Sequence, residues 1–166
     1  MVGVLKAFFI ASGAIGLALC VAPVAAQQAA TPDLTLERLE PQTLEVGECG
    51  MFLWSRANEP ELMLVAWDKP GLARFRANGR VYSLPRVAFS GESANGHFER
   101  QRYSDGGVTV QLDVSFDRER QLRDGAYVRD GVMRVTSRRG WETVAPVGGM
   151  TACQREAPDQ TKGRRR

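Results

Sequence analysis

The chain predicts an all-β domain, a small antiparallel β-barrel or β-sandwich of about seven to nine short strands closed by one disulfide. Three observations carry that expectation. Asn78-Gly79, Asn95-Gly96, Asp105-Gly106-Gly107, Asp124-Gly125 and Asp130-Gly131 recur as turn dipeptides through the middle of the chain. Val108 to Phe116 alternates without a break, with Val108, Val110, Leu112, Val114 and Phe116 on one face and Thr109, Gln111, Asp113 and Ser115 on the other. No long segment places apolar residues at helical spacing.

Taken in chain order, the first strong strand is Met51–Ser55 and the next is Leu62–Trp67. Both are near-continuous apolar runs, the pattern of strands covered on both faces or wrapped into a closed core. The arms Leu72–Ala77 and Arg80–Leu84 flank Asn78-Gly79 and predict a hairpin, with Tyr82 and Leu84 on a shared face. The run Phe89 to His97 reads as a polar loop closed by the Asn95-Gly96 turn. Asp117–Asp124 is charged and reads as one exposed helical turn or a loop. Ala126–Arg129 and Val132–Thr136 predict a second hairpin around Asp130-Gly131, and Trp141–Val147 a last strand before Gly148-Gly149. Closure of such strands removes the edges that invite aggregation.

Length and composition set the frame. A chain of 166 residues, 25% charged and 43% apolar, suits one globular domain. Residues 1–26 read as a cleaved signal peptide, with Lys6 ahead of the apolar run Ala7 to Ala22 and the small-residue site Val24-Ala25-Ala26. That run is shorter than the ~20 residues a spanning helix needs, so the mature chain is expected to carry no transmembrane segment. Leu17-Ala18-Leu19-Cys20 resembles a lipobox, but Leu19 stands where Gly, Ala or Ser is required, so a lipoprotein anchored at Cys20 is the weaker alternative. The predicted location is periplasmic or secreted. Residues 27–32 form a flexible lead-in, 33–153 the domain, and 154–166 a basic disordered tail.

Charge follows the same division. The formal net charge is +3, yet the tail from Gln154 holds five basic against two acidic residues. The body from Gln27 to Cys153 carries 16 basic and 17 acidic residues and is essentially neutral. A nucleic-acid-binding face is therefore excluded, and contact with an anionic surface is confined to the tail Arg164-Arg165-Arg166.

Chemistry-bearing residues are few. His97 is the sole histidine, and no Cys-x-x-Cys or calcium-loop spacing occurs, so neither a metal nor any other cofactor is expected. Gly91-Glu92-Ser93-Ala94-Asn95 fails the G-x-S-x-G elbow at its last position. Cys49, in Gly47-Glu48-Cys49-Gly50, matches no local signature of cysteine hydrolases. Once Cys20 leaves with the leader, Cys49 and Cys153 remain, and an even count in an oxidising compartment predicts a disulfide. Arg74 and Arg76 alternate with Ala73, Phe75 and Ala77, while Arg100 and Arg102 approach the Asp105 turn. Were those strands neighbours, the four guanidinium groups would form a cationic strip for carboxylate or phosphate.

One resemblance extends this reading. Asn78-Gly79-Arg80-Val81-Tyr82-Ser83-Leu84 followed by Ser90-Gly91 is similar to the hairpin and loop of the periplasmic C-type lysozyme inhibitors. The resemblance implies an eight-stranded, disulfide-closed antiparallel barrel whose Ser-bearing loop enters a lysozyme cleft. The chain departs from that family at Ala94, where the loop motif S-G-x-x-Y requires Tyr, and Lys-Gly occurs only at Lys162-Gly163.

The sequence thus points to an exported, non-enzymatic binding or envelope-accessory domain with no catalytic residues assigned. Its candidate binding residues are Ser90, Glu92, Ser93 and His97 with Arg74, Arg76, Arg100 and Arg102. A protein of the envelope, or a hydrolase, is the expected partner. The alternatives are an inhibitor of a lysozyme-like hydrolase and a small hydrolase pairing Ser93 or Cys49 with His97.

Overall fold

The computed structural model describes residues 34–122 and 124–155. The segments expected as leader (1–26, with Cys20) and lead-in (27–32), and residues 156–166 of the expected tail, lie outside them. Nine strands follow in order: β1 Leu36–Glu37, β2 Cys49–Ser55, β3 Leu62–Trp67, β4 Leu72–Ala77, β5 Arg80–Ala94, β6 His97–Ser104, β7 Val108–Leu122, β8 Gly125–Ser137 and β9 Glu142–Cys153. No helix occurs among the described residues.

All pairings are antiparallel, and the sheet runs β1-β4-β3-β2-β9-β8-β7-β6-β5. A further β4–β5 pairing joins its ends, so β2 to β9 form a closed eight-stranded barrel with β1 as an extra strand on β4. Barrel, not sandwich, is the outcome. Closure is built around β5, whose first part Arg80–Pro85 pairs with β4 and whose second part Arg86–Ala94 pairs with β6. Pro85, which lacks an amide hydrogen, stands where the partner changes.

The interior is the period-two face of each strand. Met51, Leu53, Leu64, Phe75, Leu84, Tyr103, Leu112, Met133, Val135 and Val147 are buried in one cluster. Residues Met63 to Trp67 of β3 are all buried because both of its faces are covered. Leu64 and Ala66 face the barrel, while Val65 and Trp67 pack outside it under Leu39 and Leu44 of the segment that follows β1. That accounts for the unbroken apolar run expected of a doubly covered strand.

Four local expectations change. Asp117–Leu122 is neither helical turn nor loop but strand, since β7 and β8 continue as a long hairpin that closes at the Leu122↔Gly125 pair, with Asp124 in its turn. Asp130-Gly131 is no turn, because β8 runs through it, with Asp130 opposite Ser115 and Gly131 opposite Val114 and Val147, and a β-bulge at Arg129 just before it. Here the glycine serves close packing, as a Cβ on Gly131 would lie 2.9 Å from Val114 Cγ1. The last strand continues past Gly148-Gly149 to Cys153, where β2 and β9 approach so closely that a Cβ on Gly149 would meet the Phe52 carbonyl oxygen at 1.9 Å. Ser90 to Ala94 belongs to β5, with the polar stretch accommodated by a bulge at Gly91 (φ 87°).

The disulfide is present as predicted. Cys49 and Cys153 are directly opposed in the β2–β9 register and joined. The bridge ties the first barrel strand to the last across a separation of 104 residues.

Candidate functional site

The β3–β4, β5–β6 and β7–β8 turns lie at the same end of the barrel as the disulfide, because alternate antiparallel strands return to it. This end is closed by polar side chains. His97 opens β6 and points inward with no exposed surface. Among the described residues no hydrogen bond of good geometry reaches either ring nitrogen, and the backbone carbonyl of Cys49 is a marginal partner at best. Burial lowers its pKa from 6.5 to about 4; Asp68 opposes the shift, Arg86 adds to it, and the Cys49 carbonyl opposes it weakly.

Arg86 organises the neighbourhood. Its Nη1 donates to the Gly96 carbonyl and to Gln101 Oε1, both at 3.0 Å, and its Nη2 lies 3.5 Å from Asp68 Oδ1. The guanidinium carbon lies 5.3 Å from the Phe89 ring centroid and 5.6 Å from that of Phe98. Gln101 Oε1 also accepts from the buried Tyr103 hydroxyl at 2.9 Å. Burial pushes the Tyr103 phenol well above its usual range, so it stays a neutral donor. The Asn95-Gly96 turn then crosses the barrel end. Thr151 Oγ1 donates to Asn95 Oδ1 at 2.9 Å, and Asn95 Nδ2 donates to Cys153 Sγ at 3.2 Å. This arrangement is a plug.

The open surface lies elsewhere, on the outer wall over β2 and β9. Phe52 and Trp54, two residues apart on β2, face outward with ring centroids 6.2 Å apart and planes inclined by 24°. A depression of about 670 Å³ is bounded by these rings, Pro41 and Leu39 of the segment after β1, Glu59 to Leu62, and Met150 of β9. On the far side of Trp54 and Pro60 lies a second depression of about 630 Å³, lined by Arg56, Tyr127, Arg129 and the small residues Gly148 and Gly149. Each falls within the usual size of a ligand site, and aromatic walls with a few polar tips are the usual composition. The Ser55–Pro60 segment is held by backbone bonds Ser55 N to Glu61 O at 2.9 Å and Arg56 N to Pro146 O at 3.1 Å.

No family model, curated protein or solved structure matches this chain.

The predicted site residues separate into distinct places. Ser90, Glu92 and Ser93 are exposed on β5, whereas His97 is enclosed. In register Ser93 faces Phe98 and Ala94 faces His97, so Ser93 and His97 project from opposite faces of the hairpin and form no nucleophile–base pair. The Cys49 sulfur is committed to Cys153 and has no free thiolate to offer. The four arginines do not form a strip, because β5 separates β4 from β6. Arg74 bonds Gln42 Oε1 at 2.7 Å and stacks over Trp67, and Arg76 pairs with Glu37 at 3.0 Å. Arg100 bonds Ser90 Oγ at 3.1 Å, and Arg102 is exposed. Arg74 and Arg100 stand beside Ser83 and Ser90, seven residues apart on β5, or about 23 Å of strand.

Two features escaped the sequence reading. Arg86 continues the inward phase of Tyr82 and Leu84, a signal that an arginine enters the barrel. Trp54 shares a strand face with Phe52, and a pair of aromatics on the outward phase marks a wall that something covers or binds.

Proposed function

We propose that this chain is an exported, non-enzymatic binding domain whose ligand site is the aromatic groove on the β2–β9 wall, with the periplasm or the exterior as its location. The pair of depressions meeting at Trp54 and Pro60 carries the reading. The closed end supports it from the other side, since its histidine is enclosed and its cysteines are spent on the bridge. A fragment screen read by the indole resonance of Trp54 tests the groove. Hits are expected to cluster on Trp54 and Tyr127, and hits confined to other surfaces would sink the reading. Turnover of any ester, peptide or glycan substrate that disappears in His97→Ala, with the fold retained, would reinstate a hydrolase. Export is tested by fusing a reporter that is active only outside the cytoplasm after Ala26.

A second reading, an inhibitor of a lysozyme-like hydrolase, is favoured by one agreement. The eight-stranded, disulfide-closed barrel is the architecture that the resemblance implies, with Ser90, Glu92 and Ser93 exposed on β5. It requires a 1:1 complex with a lysozyme that Ser90→Trp abolishes. Absence of a complex at micromolar concentrations removes it.

A further inference from the structure

We infer that the groove over Phe52 and Trp54 takes an uncharged carbohydrate chain, with sugar units in both depressions and one ring stacked on Trp54. This inference rests on the groove reading above and adds the ligand class.

Three observations select that class. The first is shape. The Phe52 and Trp54 rings are stacked along β2, 6.2 Å apart with planes inclined by 24°, and Trp54 borders both depressions, which are of similar size. An indole with room on both sides suits a linear polymer whose successive rings can pack against it. The C–H face of a pyranose carries partial positive charge and meets the negative face of an indole.

The second is charge. The charged side chains lining the two depressions are Arg38, Glu59 and Glu61 on one side and Arg56, Arg129 and Asp117 on the other, three of each sign. Arg56 and Arg129 also share Asp130, at 3.5 and 3.2 Å. A polyanion would have to displace that carboxylate, and a polycation would meet three guanidinium groups. A neutral ligand bearing hydroxyls meets neither penalty, since carboxylates accept and guanidinium groups donate to vicinal hydroxyl pairs.

The third is the backbone. β2 is bonded to β3 on one side and β9 on the other, and β9 to β2 and β8. The groove floor therefore offers no unpaired strand edge, and an extended peptide finds no ladder to join. A sugar chain needs none.

The test is titration of the purified, disulfide-intact protein with N-acetylglucosamine tetramer and cellotetraose, followed by calorimetry and tryptophan fluorescence. Decaproline and a heparin tetrasaccharide serve as peptide and polyanion probes. At least one neutral sugar is expected to bind saturably, with a Kd of about 1 mM or tighter. Trp54→Ala is expected to weaken it at least about tenfold and Trp54→Phe only a few-fold, with circular dichroism reporting the fold. The double variant Glu59→Ala/Glu61→Ala, on an exposed loop, is expected to weaken it about fivefold and serves if Trp54→Ala does not fold. Failure of both neutral sugars overturns the inference. Decaproline or heparin binding at Trp54 without sugar binding overturns the carbohydrate class and leaves the groove standing. Sugar binding undiminished in both Trp54→Ala and the double variant overturns the groove itself.

Discussion

The side-chain amide of Asn95 donates to the sulfur of Cys153 across 3.2 Å, so the turn between β5 and β6 is fastened to the bridge that joins β2 to β9. The covalent clasp and the polar plug are therefore one assembly. Its consequences are measurable.

Cys49→Ala/Cys153→Ala removes a cross-link spanning 104 residues. In the chain-entropy view this costs up to about 4.7 kcal/mol of stability. Urea denaturation of the variant and of oxidised protein measures the difference. Because Asn95 loses a partner along with the bridge, Asn95→Ala is expected to cost about 1 kcal/mol in the oxidised protein and less in the double alanine variant. Equal costs in both backgrounds would uncouple plug from clasp.

His97 sets an acid limit. Its folded pKa of about 4 lies below the unfolded value of 6.5, so the unfolded chain binds more protons between those values. The contribution to stability is complete above pH 6.5 and falls as the pH drops toward 4, by about 3 kcal/mol in all. His97→Gln is expected to flatten the stability–pH curve over that window, whatever its cost at pH 7. A curve that keeps its slope in His97→Gln would move the titration to another group. Asp105 acts lower down, because the amides of Val108, at 2.9 Å, and then Gly107, at 2.8 Å, hold its carboxyl below the ordinary range. Its contribution is present above the ordinary carboxylate range and is lost only as the pH falls below it.

Arg86→Met keeps the length of the side chain and removes its charge. Asp68 and the Gly96 carbonyl then lose their donors in a largely enclosed setting. The expected cost is about 3 kcal/mol, whereas Arg102→Met on the outer face stays within about 0.5 kcal/mol of wild type. Thermal unfolding of the pair decides whether the inward arginine is structural. Equal melting temperatures would contradict the plug.

Adjacent glycines should behave differently. A Cβ at Gly149 meets the Phe52 carbonyl oxygen at 1.9 Å, which is backbone and cannot step aside without parting β2 from β9. At Gly148 the nearest atoms belong to the Arg56 guanidinium, at 2.6 Å, the free end of a flexible chain. Gly149→Ala is expected to cost about 3 kcal/mol or more and Gly148→Ala less than about 1 kcal/mol. Comparable losses would mean that the strands can separate there.

Much of the barrel was legible because it rests on period and punctuation, both local. Val108 to Phe116 shows its buried face in its own alternation, and Asn78-Gly79 and Asn95-Gly96 mark hairpins through the two asparagines that adopt φ of 48° and 52°. The strand through Asp130-Gly131 and the strand through Gly148-Gly149 were not legible. A glycine demanded by a neighbouring strand looks the same in sequence as one demanded by a turn. The site was harder still. Ser93 and His97 are four residues apart in the chain, yet the hairpin register turns them to opposite faces.

By itself, then, the sequence determined an all-β chain, most of its hairpins, and a pair of cysteines bound to meet. The first two follow from side-chain period and turn chemistry, which need no partner strand to be read, and the third from pairing Cys49 with Cys153 when Cys20 is assigned to the leader expected of residues 1–26. Tertiary structure alone decided that the sheet closes at β4–β5, that His97 and Arg86 turn inward to seal one end, and that Phe52 and Trp54 share a groove with residues of the 38–42 segment, the 56–61 loop and β9. The physical reason is closure itself. Which face of a strand meets solvent, and which distant residues become neighbours, depends on shear and register around the whole barrel, and no local window carries that information.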